Sequence, residues 1–193
     1  RTSGTPVIDW QGKPYDKATA TTPAAHPNSR FTVSAKQNPA YSHLMEHPEG
    51  VPISAILFGG RRREVAPLVY EARDWAHGVM IGAGMASETT AAAVGQVGVV
   101  RRDSMAMKPF CGYNFADYWS HWLSFEGRAK QLPKVYHVNW FRQDKDGKFL
   151  WPGFGDNLRV LSWIIDRCEG RAKAHETPIG LLPHKEDLDL KGV

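Results

Sequence analysis

The strongest constraint on the fold is a short apolar run that ends abruptly in glycine and charge. Ile53-Ser54-Ala55-Ile56-Leu57-Phe58 is followed at once by Gly59-Gly60-Arg61-Arg62-Arg63. A mostly apolar hexapeptide between Pro52 and two glycines reads as a strand buried inside a sheet. Three consecutive arginines cannot follow it into a core, so the chain must leave the sheet near Gly59. In open α/β sheets, ligands sit beyond the carboxyl ends of strands. Glycine admits close approach to the backbone, and arginine grips phosphate or carboxylate through a two-pronged fork. The same residues also suit a tight turn with solvated charge, and both readings stay open on this motif. It is not a Walker A loop, because G-x-x-x-x-G-K-[ST] occurs nowhere in the chain.

The remaining pattern mixes helices and strands. Leu68, Val69, Ala72, Trp75 and Ala76 predict a helix over 67–77, stopped by Gly78. Val79-Met80-Ile81-Gly82 and Val97-Gly98-Val99-Val100 read as strands. Asn114 is placed to cap a helix whose Phe115, Tyr118, Trp119, Trp122 and Leu123 share one face. The alternation from Val135 to Phe141 predicts a strand. Asp146-Gly147 signals a turn, with Phe149-Leu150-Trp151 as the returning strand of a hairpin. Asp156 or Asn157 can cap a last helix through Leu158, Leu161, Ile164, Ile165 and Cys168. Residues 1–50, rich in Pro, Thr, Ala and His, predict extended or loop structure. The expected fold class is therefore mixed α/β.

Composition narrows the function classes. The 193 residues include seven Trp, six Tyr and eight Phe, too many aromatics for a disordered chain. No apolar run reaches the ~18 residues of a membrane span. Two cysteines, Cys111 and Cys168, exclude a disulfide scaffold and a cysteine-based zinc site, and fit a reducing compartment. A net charge of +4 admits anionic partners such as nucleotides. The chain starts Arg1-Thr2-Ser3-Gly4 and closes on Leu190-Lys191-Gly192-Val193, as expected of a segment of a longer chain.

Three further stretches carry candidate chemistry. In His26-Pro27-Asn28-Ser29-Arg30-Phe31, a polar triplet either holds a carboxylate or phosphate or is simply solvated. The small residues from Gly84 to Ala93 suit a lid, an ordinary loop or the start of an Ala-rich helix. Phe141, Phe149 and Phe154 would meet around a hairpin, with Asn157 close behind. Aromatic faces stack on a base at ~1–3 kcal/mol each. An Asn amide can read a purine edge, and a helix start offers free backbone N–H groups. Hydrophobic core is the other reading of the three phenylalanines. The eight histidines form no ligand cluster, and His137 reads as structural. Phe115, Trp119 and Trp122 read as core.

Taken in order, these segments resemble the C-terminal part of GTP-dependent phosphoenolpyruvate carboxykinases. The matching stretches are Ala25-His26-Pro27-Asn28-Ser29-Arg30-Phe31, Pro48-Glu49-Gly50-Val51-Pro52-Ile53 and Phe58-Gly59-Gly60-Arg61-Arg62. Pro67-Leu68-Val69-Tyr70-Glu71-Ala72, Ser87-Glu88-Thr89-Thr90-Ala91-Ala92-Ala93 and Pro109-Phe110-Cys111-Gly112-Tyr113-Asn114-Phe115 follow. His137-Val138-Asn139-Trp140-Phe141, Trp151-Pro152-Gly153-Phe154-Gly155-Asp156-Asn157 and Thr177-Pro178-Ile179-Gly180 complete the set.

The resemblance covers about the last third of the family's length. It implies conversion of oxaloacetate and GTP to phosphoenolpyruvate, GDP and CO2 in gluconeogenesis, by a cytoplasmic monomer using Mn2+ or Mg2+. It implies a loop-rich segment over 1–50 and part of a nucleotide-binding lobe over 51–193, with a lid at about 84–97. Asn28, Ser29 and Arg30 would bind substrate, with Arg30 also beside the transferred phosphoryl group as the catalytic positioning residue. Arg30, Arg61, Phe141, Phe149, Phe154, Gly155, Asp156 and Asn157 would bind GTP. Ser87, Glu88, Thr89 and Thr90 would belong to the lid. The family's catalytic Cys and Lys and its metal ligands are expected upstream, so the segment alone is expected to be inactive. Arg63, Lys108 and Cys111 depart from the animal pattern and imply a bacterial type of member. A competing reading, from the arginine runs and the aromatics, is a module for single-stranded nucleic acid.

Overall fold

The computed structural model describes residues 5–26, 28–30, 32–90 and 96–193. The chain divides into two compact units, one of residues 1–51 and 89–97, the other of residues 52–88 and 98–193. In the first unit the regular structure is short, as the lack of periodicity predicts. An isolated bridge joins Ile8 to Pro14. Two 3-10 turns, Ala35–Gln37 and His43–Glu46, are capped by the hydroxyls of Ser34 and Ser42. Trp10 packs edge-on against His26 at 4.8 Å.

The second unit is built on a five-stranded mixed sheet, in agreement with the expected fold class. Its strands are β1 (Ala55–Gly59), β2 (Val69–Glu71), β5 (Lys134–Val138), β6 (His175–Thr177) and β7 (Gly180–Leu182). The spatial order is β1-β5-β2-β7-β6. β1 and β5 run parallel, with Ala55 opposite Lys134 and Gly59 opposite Val138. β2 is antiparallel to both β5 and β7, and β6 and β7 form a hairpin. A separate two-stranded ribbon pairs β3 (Ala86–Glu88) with β4 (Val100–Arg102). The helices are α1 (Trp75–Ala83), α2 (Phe115–Leu123) and α3 (Asn157–Cys168).

Two apolar clusters hold these layers. Phe58, Trp75, Val79, Met85, Met105 and Val135 form one, with the half-buried Tyr118, Trp119 and Trp122 of α2 packed against it. The α2 aromatics thus flank the core, and none is fully buried. Tyr136, Val138, Trp151, Val160, Trp163 and Ile164 form the other, which seats α3 on the sheet. Between β2, β5 and α3 lies a buried carboxylate. Glu71 accepts from Arg167 Nε at 2.6 Å and pairs with Lys134 Nζ at 3.3 Å. A charge this deep is tolerated only because both oxygens are bonded.

Several sequence expectations are overturned: of Val97–Val100 only Val100 enters a strand, and Phe149–Trp151 pairs only through an isolated bridge at Phe149. Residues 67–77 do not form one helix, and Val79–Gly82 is not a strand. The chain makes β2, turns, and starts α1 at Trp75, where the Asp74 carboxylate caps the His77 N–H at 2.7 Å. The helix then runs straight through Gly78 and Gly82. These glycines serve contact, not termination. A Cβ at Gly78 would lie 2.6 Å from Val135, and one at Gly82 would lie 2.6 Å from Phe58. They let α1 settle directly onto β1 and β5. Gly78→Ala should therefore lower stability by roughly 1–3 kcal/mol through overpacking, outweighing its gain of about 1 kcal/mol in helix propensity. Urea unfolding of the two proteins measures the sign.

Candidate functional site

The arginine loop leaves β1 where the sequence requires, and it is held from two sides. On one side lies β3. The Arg61 N–H donates to Ser87 Oγ at 3.0 Å, and the Glu88 N–H donates to the Arg61 carbonyl at 2.8 Å. The Glu88 side chain, 7% exposed, accepts from the Arg63 N–H at 2.7 Å and from Arg63 Nε at 2.9 Å. On the other side is the end of β5. The Asn139 carboxamide, 1% exposed, accepts from the N–H groups of Arg62 and Phe141 at 3.2 Å. It donates to the carbonyls of Arg62 at 2.9 Å and Ala66 at 3.1 Å.

The hairpin beyond Asn139 brings the aromatics to this loop. Asp144 Oδ1 accepts from the N–H groups of Asp146 and Lys148 and shapes the turn, and Phe149 bridges back to Gln143. Phe141 and Phe149 meet edge to face at 6.1 Å. The Arg61 guanidinium lies over the Phe141 ring, 3.7 Å from its centre, a favourable cation–π contact. Phe154 begins a 3-10 turn, Phe154–Asp156, that feeds α3. Its φ of 50° lies in the left-handed region, which bulky residues rarely enter, and its ring is 96% exposed. Backbone strain of this kind clusters at ligand-binding positions. Asp156 is ion-paired to Arg159 at 2.7 Å. Neither Asp156 nor Asn157 caps α3 through its side chain. Asn157 Oδ1 instead accepts the Trp151 indole N–H at 2.7 Å.

Other candidates fall elsewhere. In the first unit, Asn28 Oδ1 accepts from Arg30 Nε and Nη2 at 3.4 Å, beside the exposed Ser29. Ser87 and Glu88 are fixed in β3, so this part of the expected lid is sheet that braces the arginine loop. Thr89 and Thr90 follow it, and residues 91–95 of that expectation lie outside the described residues. Four residues that hold the site had no such role in the sequence reading: Asn139, Trp151, Ser87 and Glu88. A buried carboxamide at the end of an apolar strand is the one available signal, and it pointed only to Asn139.

His137 borders the site without joining it. It is buried, stacks on Tyr70 at 5.1 Å, and its Nδ1 has no hydrogen-bond partner among the described residues. It lines a cavity of about 200 Å³ together with Arg62 and Tyr70. No group of three or more His, Cys, Asp or Glu among the described residues could hold a metal ion. No described helix is long and apolar enough to cross a membrane.

The fold thus sets an arginine loop beside an aromatic pair at the carboxyl end of β1, an arrangement whose chemistry suits an anion next to a planar ring. The family of the phosphoenolpyruvate carboxykinase C-terminal P-loop domain matches residues 1–193. The phosphoenolpyruvate carboxykinase (GTP) of Anaeromyxobacter sp. (strain K) is 59% identical over 187 residues. That of Chlamydia caviae is 58% identical over 189 residues, and that of Chlamydia trachomatis 53% over 188. Each alignment covers 97% of this chain and 31% of the relative. The chain belongs to the GTP-dependent phosphoenolpyruvate carboxykinase family and spans about a third of the length of the relatives it matches. The nucleic-acid reading finds no support in these relatives. Its basic surface is also partly neutralised, since Arg63 pairs with Glu88 and Arg101 with Asp103.

Burial, and secondarily the Arg62 charge, lowers the His137 pKa to about 4. The unfolded chain therefore takes up a proton near pH 6.5 that the folded chain refuses until about pH 4. Stability from this group is complete above pH 6.5 and is lost as pH falls towards 4. Between pH 7.5 and 5 the loss should be on the order of 2 kcal/mol. Urea unfolding at both pH values should show it for the wild type, and a His137→Phe variant should lose that part of the slope.

Proposed function

We propose that this chain contributes the guanine-nucleotide site and part of the substrate site of a GTP-dependent phosphoenolpyruvate carboxykinase, a lyase of gluconeogenesis. The reaction breaks the bond to the departing CO2 of oxaloacetate and passes the terminal phosphoryl group of GTP to the enolate oxygen. Phosphoryl transfer of this kind depends on positioning and on charge stabilisation. The observation that carries the reading is the convergence of Arg61 with Phe141 and Phe149 at the carboxyl end of β1.

In this reading Phe141, Phe149 and Phe154 enclose the base, and Gly155, Asp156 and Asn157 form its edge. Arg61 takes the nucleotide phosphates. Its guanidinium covers a face of Phe141 that a base would use, so base entry and transfer of Arg61 to phosphate go together. A charge-assisted bond to phosphate is stronger than the cation–π contact it replaces. Asn28, Ser29 and Arg30 hold oxaloacetate or phosphoenolpyruvate, with Arg30 also on the phosphoryl group in flight. Ser87 and Glu88 are the fixed root of a segment that encloses the site, with Thr89 and Thr90 its first residues. Enclosure keeps water from the enolate. The Mn2+ or Mg2+ that the family implies finds no ligand cluster among the described residues. The proposed site of action is the cytoplasm.

Trp140 and Trp151 flank the slot, so tryptophan fluorescence reports on its occupation. GTP should change the emission saturably, and ATP should do so only at much higher concentration. Phe141→Ala should weaken GTP binding by about 1–3 kcal/mol. Equal responses to GTP and ATP would contradict the guanine assignment.

A further inference from the structure

Trp151 is not a surface residue of the slot. It is 4% exposed and packs in the cluster of Tyr136, Val138, Val160 and Trp163. Its indole N–H can only donate, and a buried donor needs an acceptor. The acceptor is Asn157 Oδ1 at 2.7 Å. The two ends of a carboxamide are otherwise interchangeable in shape. Here the buried N–H dictates which end faces inward. Rotating the amide would set NH2 against N–H and leave the indole unsatisfied, disfavouring that rotamer roughly tenfold to a hundredfold. The half-buried Asn157 therefore presents Nδ2, which has no hydrogen-bond partner among the described residues, away from the core.

We infer that Trp151 is a specificity-determining positioning residue: by holding Asn157 Oδ1 inward, it turns the Asn157 amide into an outward hydrogen-bond donor that selects guanine over adenine. This rests on the guanine reading of the site given above. Guanine carries an acceptor, O6, where adenine carries the N6 amino donor. An Nδ2 donor bonds the first and opposes the second. A freely rotating amide would satisfy either, so recognition by Asn157 alone would be weak. Fixing the amide from the core makes the choice before the nucleotide arrives, which limits the ordering cost of binding. Phenylalanine at position 151 would fill most of the same space and leave the amide free to turn.

The test is calorimetric titration of the full-length protein with GDP and with ADP, read as the ratio of their dissociation constants. Trp151→Phe should lower the guanine preference about tenfold or more, chiefly by raising ADP affinity as the freed amide turns its oxygen to the adenine amino group, with GDP affinity changed by less than about threefold. In an Asn157→Ala background, the same Trp151→Phe change should move the ratio by less than about twofold, because the indole acts through the amide. Asn157→Asp keeps an acceptor for the indole while removing the outward donor, so it too should lose the preference. It carries the test if Trp151→Phe does not fold. Unchanged preference in Trp151→Phe or Asn157→Asp overturns the inference and leaves the guanine reading intact. An equal loss in the Asn157→Ala background overturns it in favour of a general packing role. A wild type without guanine preference removes the guanine reading, and this inference with it.

Discussion

The carboxamide of Asn139 is the interaction on which the site depends. All four of its hydrogen bonds are made to backbone, three of them to the loop from Arg62 to Ala66 and one to Phe141. No other side chain of that size offers two donors and two acceptors in one plane. Aspartate would lack the donors, and leucine would leave four partly buried backbone groups without this partner. Because β1 and β5 are parallel neighbours, one amide at the end of β5 can fix the exit of β1. The arginine loop and the aromatic hairpin therefore share a single anchor, and Arg61 meets Phe141 as a consequence.

Charge is then sorted among the three arginines by their surroundings. Glu88 binds both the backbone and the side chain of Arg63. Arg61 faces an aromatic ring, a weaker partner that a phosphate can displace. The braces differ too: β3 and Asn139 use backbone groups, which leaves the Arg61 side chain available. A loop that carries three like charges is thus rigid in its main chain and selectively reactive in its side chains. Further from the site, the buried Glu71 ties α3 to β2 and β5 through Arg167 and Lys134. This steadies the helix whose first residues border the slot.

Part of this was legible in the sequence. The period of Phe115, Tyr118, Trp119 and Trp122 specifies α2, whose aromatic face packs against the core. That of Leu158, Leu161, Ile164 and Ile165 marks α3 as a helix but misplaces its face: Val160, Trp163 and Ile164 are buried, while Leu158 and Ile165 are exposed. The apolar runs before Gly59 and after Leu132 specify β1 and β5 in the same way. Gly78 and Gly82 misled because a glycine needed for close contact looks like one that ends a helix. Tertiary packing against Val135 and Phe58 decides between the two. The roles of Asn139, Trp151 and Glu88 rest on partners chosen by folding. Asn139 acts on a residue 77 positions away and Glu88 on one 25 away, distances at which local pattern carries no information. The sequence groups Phe141, Phe149 and Phe154, and the fold brings Phe141 and Phe149 into contact; the contact of Arg61 with Phe141 and the exposure of Phe154 emerge only from the fold.

A crystal structure of the full-length protein with GDP bound tests the account most directly. The account predicts the guanine ring against Phe141 with its O6 edge towards Asn157 Nδ2. It also predicts Arg61 moved from the ring face to a phosphate, with the Asn139 bonds to Arg62, Ala66 and Phe141 unchanged. A base bound away from Phe141, or an Arg61 guanidinium still stacked on that ring with the nucleotide in place, would contradict it.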